Sequence, residues 1–433
     1  MRIERLAAGE QAELGPAEAA ARVRALVPGA DSVHEQVREI IAGVRAGGDE
    51  ALARYTREFD TEGEDPPPLL VSPEELDEAL TQLAPETVAG LQVAIANVAR
   101  VAEGSVAPDV SVELPQGHRV RVREVPVASA AVYVPGGRAP YPSTVVMGVV
   151  TARAAGVIDV AVCAPPRAGG HVDPAILGTC RLCGVQRVYR MGGAQAIAAL
   201  AYGTETVSPV DVIVGPGSLF VQEAKHQVSV VAGIDGFAGP SDLLVLLGAD
   251  VGDREVGLAA LDMLAQAEHG DGSLVVAAAP GPVCDALDAR LQELALSRPT
   301  VADAAFALVA TGGARAAVAF ANVLAPEHLQ LIGADVEALA ASVTSAGCLF
   351  VGVQSGTAFG DYVAGSNHVL PTAGAARFAS GLSPRHFRRR MPEVHVGEAA
   401  ARLAGAGAPI ARAEGFSVHA ESMEARVMEN PGR

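Results

Sequence analysis

From Val120 onward the chain repeats one pattern: a short apolar run that ends in glycine, then an amphipathic stretch of small residues. Unbroken apolar runs mark strands buried on both faces, and helical stretches between them return the chain so that successive strands lie parallel. A first ladder predicts strand 130–134, helix 143–155, strand 157–164, helix 174–183, strand 187–191, helix 194–202, strand 210–214 and helix 219–228. A second starts at Asp242, with strands at 243–247, 273–278, 307–310, 329–332 and 348–351 and helices at 254–269, 283–296, 314–322 and 336–343. No residue-level repeat relates the two, so their kinship rests on element order. The expected class is α/β, with two similar parallel-sheet domains.

Up to about Val101 the pattern is helical with polar faces, in runs that open at Pro, Ser or Asp, and 61–69 (TEGEDPPPL) reads as a surface loop. Beyond Leu382 the chain turns helical and charged, and 393–433 reads as a separate small unit. The expected segments are an N-terminal arm (1–25), a helical lead-in packing on the second α/β domain (26–129), a first α/β domain (130–240), a second (241–382) and a C-terminal helical unit (383–433).

Half of the 433 residues are apolar and 19% are charged, a balance that excludes disorder as the main state. Fifty acidic against 32 basic residues leave a net charge of −18, which repels nucleic-acid phosphates and anionic lipid. The longest charge-free stretch, 338–360, carries four glycines among Ser, Thr and Gln and reads as strand and turns rather than a membrane span. The opening residues mix both charges without the apolar core of an export signal, and the five cysteines are sparse and odd in number. Both features fit a cytoplasmic, reducing location.

Three glycine turns stand where a strand of the first ladder hands over to a helix: VYVPGG (132–137), MGGAQAI (191–197) and VGPGS (214–218). Open α/β sheets bind ligands along that carboxyl edge, where helix N-termini favour a pyrophosphate, so position marks a dinucleotide site. No G-x-G-x-x-G opens the ladder, and tight βα turns also need glycine on their own account. Gln266 and His269, three residues apart at a helix end, share a face and can reach one metal, although a His there also complements the helix C-terminus. LAPEHL (324–329) sets Glu327 beside His328 in a connection entering a strand: either two bases of different basicity in one cleft, or an exposed turn. Asp361 and His368 fall in GDYVAGSNHVLPT, an irregular run rich in ligand-type residues. Glu414 and His419 occur in EGFSVHAES near the C-terminus. Cys180 and Cys183 make a lone C-x-x-C on a predicted helix, the other cysteines read as core, and the basic run 385–390 as a solvated face or interdomain ion-pair site.

Taken together, VPGG, LCGVQ, GGAQAIAALA, GPG, AGPSD, QAEHG, PEHL, TSAG, GDYxxGxNHVLPT and the final His, in this order and spacing, resemble the histidinol dehydrogenases, zinc enzymes that complete histidine biosynthesis. The likeness runs from about Val120 to the C-terminus, and the first hundred residues match in general character only. It implies two Rossmann-like α/β/α domains of aldehyde-dehydrogenase-like architecture and an NAD-dependent, four-electron oxidation of L-histidinol through L-histidinaldehyde to L-histidine. It also implies a homodimer with shared sites and one zinc per subunit, held by Gln266, His269, Asp361 and His419, the last reaching in from the partner subunit. The catalytic pair falls on Glu327 and His328. Substrate contacts fall on Ser241, Gln266, His269, His328, Asp361, His368, Glu414 and His419, and cofactor contacts on Tyr133, Gln195 and Ser218. Ser218 departs from the family's usual Asn after GPG, and Asp242 from its usual Glu, with no role for Asp242 implied by the likeness.

The residue types suit that chemistry. Zinc accepts an imidazole and an amine beside one Gln, one Asp and two His, and there orients substrate more than it activates water. His328 suits removal of the hydroxyl proton in each oxidation, and Glu327 the activation of the water that adds to the aldehyde. Three other readings stay open. Cys348 as an aldehyde-dehydrogenase-like nucleophile is disfavoured by its apolar strand. A zinc hydrolase with Glu327 as its base is disfavoured by the glycine turns, and oxidation of another small polyol by the presence of Glu414 and His419.

Overall fold

The computed structural model describes residues 3–27, 33–136, 139–236, 241–270 and 272–428; Gly137 of VPGG and Ala238, Gly239 and Pro240 of AGPSD lie outside them. Residues 1–105 with 128–387 form one compact unit, and 106–127 with 388–433 a second.

The first unit opens with β1 (Ile3–Leu6) and α1 (Ala8–Arg24), then α2 (His34–Phe59), α3 (Pro73–Gln82) and α4 (Pro85–Gly104). Helix α3 starts in a capping box, Ser72 accepting from the Glu75 N–H at 3.2 Å while Glu75 accepts in return, and Pro73 takes the first turn, where no N–H is needed. The chain leaves this unit for β2 (Val110–Glu113) and β3 (Arg119–Pro126). It returns with β4 (Ser129–Tyr133), α5 (Pro142–Ala154), β5 (Asp159–Ala164), α6 (Pro174–Leu182), β6 (Arg187–Arg190), α7 (Gly193–Tyr202), β7 (Val212–Val214), α8 (Leu219–Val228) and β8 (Gly233–Ile234). These strands form a parallel sheet in the order β6-β5-β4-β7-β8.

The second ladder runs β9 (Asp242–Leu247), α9 (Asp253–Ala267), β10 (Leu274–Ala279), α10 (Gly281–Ala295), β11 (Ala305–Ala310), α11 (Ala314–Leu324), β12 (His328–Ile332), α12 (Ala334–Glu337), β13 (Cys348–Val351) and α13 (Thr357–Tyr362). Its strands lie parallel in the order β1-β11-β10-β9-β12-β13, and β9 and β10 are buried at every residue, as unbroken apolar runs require. With β1 set aside, both sheets share one order: third, second, first, fourth, fifth. The order therefore reverses between β4 and β7 in one sheet and between β9 and β12 in the other.

Helices α2, α3 and α4 pack chiefly on α7, α6 and α5 of the first sheet rather than on the second domain, which α4 meets where Asn97 Nδ2 donates to the Val363 carbonyl at 2.7 Å. The reason is the apolar stripe Val37, Ile40, Ile41, Val44 and Leu52 of α2, which joins Ile197 and Leu200 of α7 in one core cluster. The element that reaches the second sheet is the N-terminal arm, through β1 on β11 and α1 on α11. Helix 336–343 is divided: α12 stops at Glu337, and a 3₁₀ turn covers Ala340–Ser342.

The second unit is not wholly helical. Strand β14 (Arg388–His395) joins β3 and β2 in an antiparallel sheet of order β14-β3-β2, so 106–127 is not part of a helical lead-in. The alternation Arg119, Val120, Arg121, Val122 gives β3 its period of two, and Pro392 is tolerated because β14 is an edge. Of the basic run, Arg388–Arg390 lie on this edge, with Arg390 Nε donating to Glu124 Oε1 at 2.7 Å, and Arg385 falls in the 3₁₀ turn Pro384–Phe387 before it. Helices α14 (Ala400–Ala413) and α15 (Ser417–Met428) follow, packed through Ala408, Ala411, Ala420 and Met423. Among the described residues no helix is long and apolar enough to cross a membrane.

Candidate active site

Register sets the site. Asp242 opens β9 and His328 opens its neighbour β12, with Ser241 and Glu327 one residue before each. These four stand at the amino edge of the second sheet, opposite to the carboxyl edge at which open α/β sheets usually bind ligands. The two strand openings interlock: the Asp242 N–H donates to Glu327 Oε2 at 2.9 Å, and the Glu327 N–H donates to Asp242 Oδ1 at 2.7 Å. This reciprocal pair gives Asp242 a role. Ser241 Oγ donates to the same Oε2 and accepts from Gln266 Nε2 at 2.6 Å. Gln266 belongs to the last turn of α9. Because α9 ends at Ala267 and Gly270 adopts φ 87°, His269 sits on the closing turn and does not share a helix face with Gln266 as the spacing predicted.

His328 is only 3% exposed, its Nδ1 3.7 Å from Glu327 Oε2 and its Nε2 3.3 Å from Asp361 Oδ1. His368 has Nδ1 2.9 Å from the Asp361 carbonyl oxygen and Nε2 3.2 Å from Thr144 Oγ1. Asp361 lies in α13 rather than in an irregular run, and His368, on the loop that follows, ties this segment to α5, the helix that leaves β4 at the first sheet's carboxyl edge. Burial raises the Glu327 carboxyl above the carboxylate range, against the opposing pull of His328. Burial disfavours charge on His328 as well, but Glu327 and Asp361 outweigh it and raise its pKa. His269 and His368 are lowered chiefly by burial; Asp361, although buried, is held below its ordinary value by His328.

Among the described residues no three His, Cys, Asp or Glu side chains gather into a cage for a metal. The expected ligands explain why: one is Gln266, turned to Ser241, Asp361 is drawn to His328, and His419 belongs to the second unit. What the first unit does supply is an amide, an imidazole and a carboxylate, Gln266, His269 and Asp361, with His269 lowered by burial against the opposing pull of Asp361. These oxygen and nitrogen donors fit zinc as an open set that further ligands complete.

The cofactor candidates flank the β4–β7 reversal. Tyr133 ends β4 and its Oη accepts from the Gly193 N–H at 3.2 Å; buried Gln195 on α7 donates through Nε2 to Asp60 Oδ2 at 3.1 Å. Burial pushes Asp60, the C-cap of α2, up to about 7. Gly215 after β7 has φ 117°, and a Cβ there would lie 2.1 Å from the Tyr133 carbonyl oxygen, so no other residue fits. The fully buried Lys225 donates to the Gly215 carbonyl at 2.9 Å and pairs with Asp235, whose Oδ2 accepts from the Gly215 N–H at 2.7 Å. Ser218 is exposed at the N-cap of α8 without a side-chain capping bond.

Glu414 and His419 lie in the second unit, both exposed, with the His419 ring 5.2 Å from that of Phe416. Cys348 opens β13 part-buried, with its thiol raised by burial, and Cys180 and Cys183 are buried with raised thiols, Cys183 to about 12. None is a ready thiolate. Asp60, Lys225 and Arg24, whose Nη1 donates to Asp242 Oδ2 at 2.7 Å, carry no motif and escaped the sequence reading.

Residues 27–427 match the family model described as histidinol dehydrogenase, so the likeness reaches back well before Val120. The histidinol dehydrogenase of Rhizobium meliloti (strain 1021) is 40% identical over 407 residues, 92% of each chain. That of Ruegeria pomeroyi is 41% identical over 410 residues, 92% of this chain and 93% of its own. The crystal structure of histidinol dehydrogenase from Elizabethkingia anophelis superposes with a TM-score of 0.90 at 28% identity, covering 98% of both chains. On these matches the chain belongs to the histidinol dehydrogenase family and is an oxidoreductase of histidine biosynthesis.

Proposed function

We propose that the chain oxidises L-histidinol by way of L-histidinaldehyde to L-histidine with two molecules of NAD, as a cytoplasmic homodimer. The observation that carries the reading is the run Gln266–Ser241–Glu327 beside His328–Asp361, two bases side by side next to metal-type donors. Residues 130–240 serve the dinucleotide through Tyr133, Gln195 and Ser218, and residues 241–382 carry the chemistry. Zinc, when bound by Gln266, His269, Asp361 and His419 of the partner subunit, supplies a Lewis-acid anchor for the substrate's imidazole and amine nitrogens.

The remaining steps belong to side chains. His328 takes the hydroxyl proton of the alcohol, and later that of the hydrated aldehyde, as a hydride leaves for NAD; the carboxylate of Asp361, 3.3 Å from its Nε2, stabilises the imidazolium so formed. Glu327 removes a proton from the water that adds to the aldehyde, and burial makes it a stronger base than an exposed carboxylate. Ser241 and the Asp242 N–H hold its Oε2 in place. His368 and Glu414 of the partner subunit bind the rest of the substrate. Titration calorimetry of histidinol into zinc-loaded and chelator-stripped protein tests the anchor. Binding weakened at least tenfold by stripping and restored by zinc is expected, and equal affinity in both forms contradicts it.

A further inference from the structure

The guanidinium of Arg24, at the end of α1, makes three contacts that converge on the approach to Glu327. Nη1 donates to Asp242 Oδ2 at 2.7 Å, and Nη2 to the carbonyls of Leu324 at 2.6 Å and Ala325 at 3.3 Å. Those carbonyls close α11, where a cation complements the helix C-terminus. Ala325 holds φ 49°, a left-handed conformation that a residue with a Cβ adopts only when its surroundings impose it. Two residues later comes Glu327, whose N–H and Oε2 are both bonded to Asp242. Arg24 thus grips both ends of the device that presents Glu327: the strained turn that leads into it and the carboxylate that brackets it. Asp242 is 2% exposed, and its Oδ2 also accepts from the Ala373 N–H at 3.2 Å. Without the guanidinium it is left a buried carboxylate without its ion-pair partner, next to a second one. Arg24 stands before the residues that the family match covers, 27–427, and reaches the site from the N-terminal arm.

We propose that Arg24 is a positioning residue for Glu327, through which the arm sets the rate of the aldehyde step. The proposal rests on the reading of Glu327 as the base for water addition. Arg24→Met and Arg24→Lys are to be made in the full chain, each alone and combined with Glu327→Gln. Both oxidations are then followed separately, from histidinol and from histidinaldehyde, together with KM for NAD and thermal unfolding. Displacing a catalytic group by about an ångström costs up to about a hundredfold. Arg24→Met is therefore expected to slow the aldehyde step between about tenfold and a hundredfold, to slow the alcohol step far less and to leave KM for NAD unchanged. Arg24→Lys, which keeps the ion pair but cannot also span both carbonyls, falls between. On Glu327→Gln, Arg24→Met adds nothing, because the group it positions is already gone. Equal losses in both oxidations, or the same fold-loss with and without Glu327→Gln, overturn the proposal. If Arg24→Met does not fold, Arg24→Lys alone decides by whether its loss is confined to the aldehyde step. Glu327→Gln by itself reports on the underlying assignment: an unimpaired aldehyde step there refutes the role of Glu327, independently of anything Arg24 shows.

Discussion

Replacing Glu327 by Gln separates the two oxidations. Both bonds to the carboxylate, from Ser241 Oγ and the Asp242 N–H, end on Oε2, so the single carbonyl oxygen of an amide can accept both. The reciprocal bond from the Glu327 N–H to Asp242 Oδ1 is untouched, being backbone. The substitution therefore keeps shape and removes basicity. A positioned base contributes about 10²–10⁴-fold, which is about 3–5 kcal/mol of barrier. That loss is expected in full on the aldehyde step, which needs water activated, while the alcohol step is predicted to change by less than about tenfold. Single-turnover formation of NADH, started in one series from histidinol and in the other from histidinaldehyde, measures both. His328→Asn serves as the contrast, slowing both oxidations by comparable factors because the same imidazole takes a proton in each. Equal damage to both steps in Glu327→Gln refutes the division of labour between these neighbours.

Asp60 gives a pH prediction whose sign is fixed by burial. Its carboxyl is pushed up to about 7 in the folded chain against 3.8 for the free group, so between about pH 4 and 7 the folded state holds a proton that the unfolded state has lost. Stability falls as pH rises through that window; Asp60→Asn removes the fall and is expected to stabilise by up to about 4 kcal/mol at pH 8 with little effect at pH 4, read from urea midpoints. The same gain at both pH values contradicts the assignment. Cys348→Ala should keep most activity, since the thiol is part-buried and raised; complete loss in a folded variant favours a thiol mechanism. Inactive His419→Ala and His269→Ala, unfolded and refolded together, should recover activity if the proposed shared site holds, since a mixed dimer would then have one site with both lesions and one with neither. Heterodimers proven by mass but no more active than the parents place His419 in the site of its own chain.

How much of this was legible follows from how far apart the partners are in the chain. Strands β9 and β10 announce themselves because every residue is buried, and the sequence then carries no polar alternation to confuse them. Strand β1 is four residues, IERL, with two charges, and becomes a strand only by pairing with Phe306–Val309 across the whole chain. Strands β2 and β3 did carry a period of two, but their closing partner β14 comes some 260 residues later, in a segment whose charges suggested helix. The site divides in the same way. Glu327 and His368 sit in connections, His328 at the start of β12 and Asp361 in the short α13; their residue types speak of chemistry, and the structure brings them together. Asp60 reaches Gln195 from 135 residues away and Arg24 reaches Leu324 from 300, so neither spacing nor composition could point to them. The amino-edge location of the catalytic pair was legible, since LAPEHL enters the strand that follows it, whereas its partners Ser241 and Asp242 on β9 come from the pairing of β12 with β9.

Under the proposed function, one site with two bases carries an alcohol through both oxidations to an acid. Purified zinc-loaded protein, supplied with limiting L-histidinol and excess NAD, should yield two NADH for every histidine formed, with no free aldehyde trapped along the way. One NADH per histidinol consumed, with histidinaldehyde accumulating and no histidine, would contradict it.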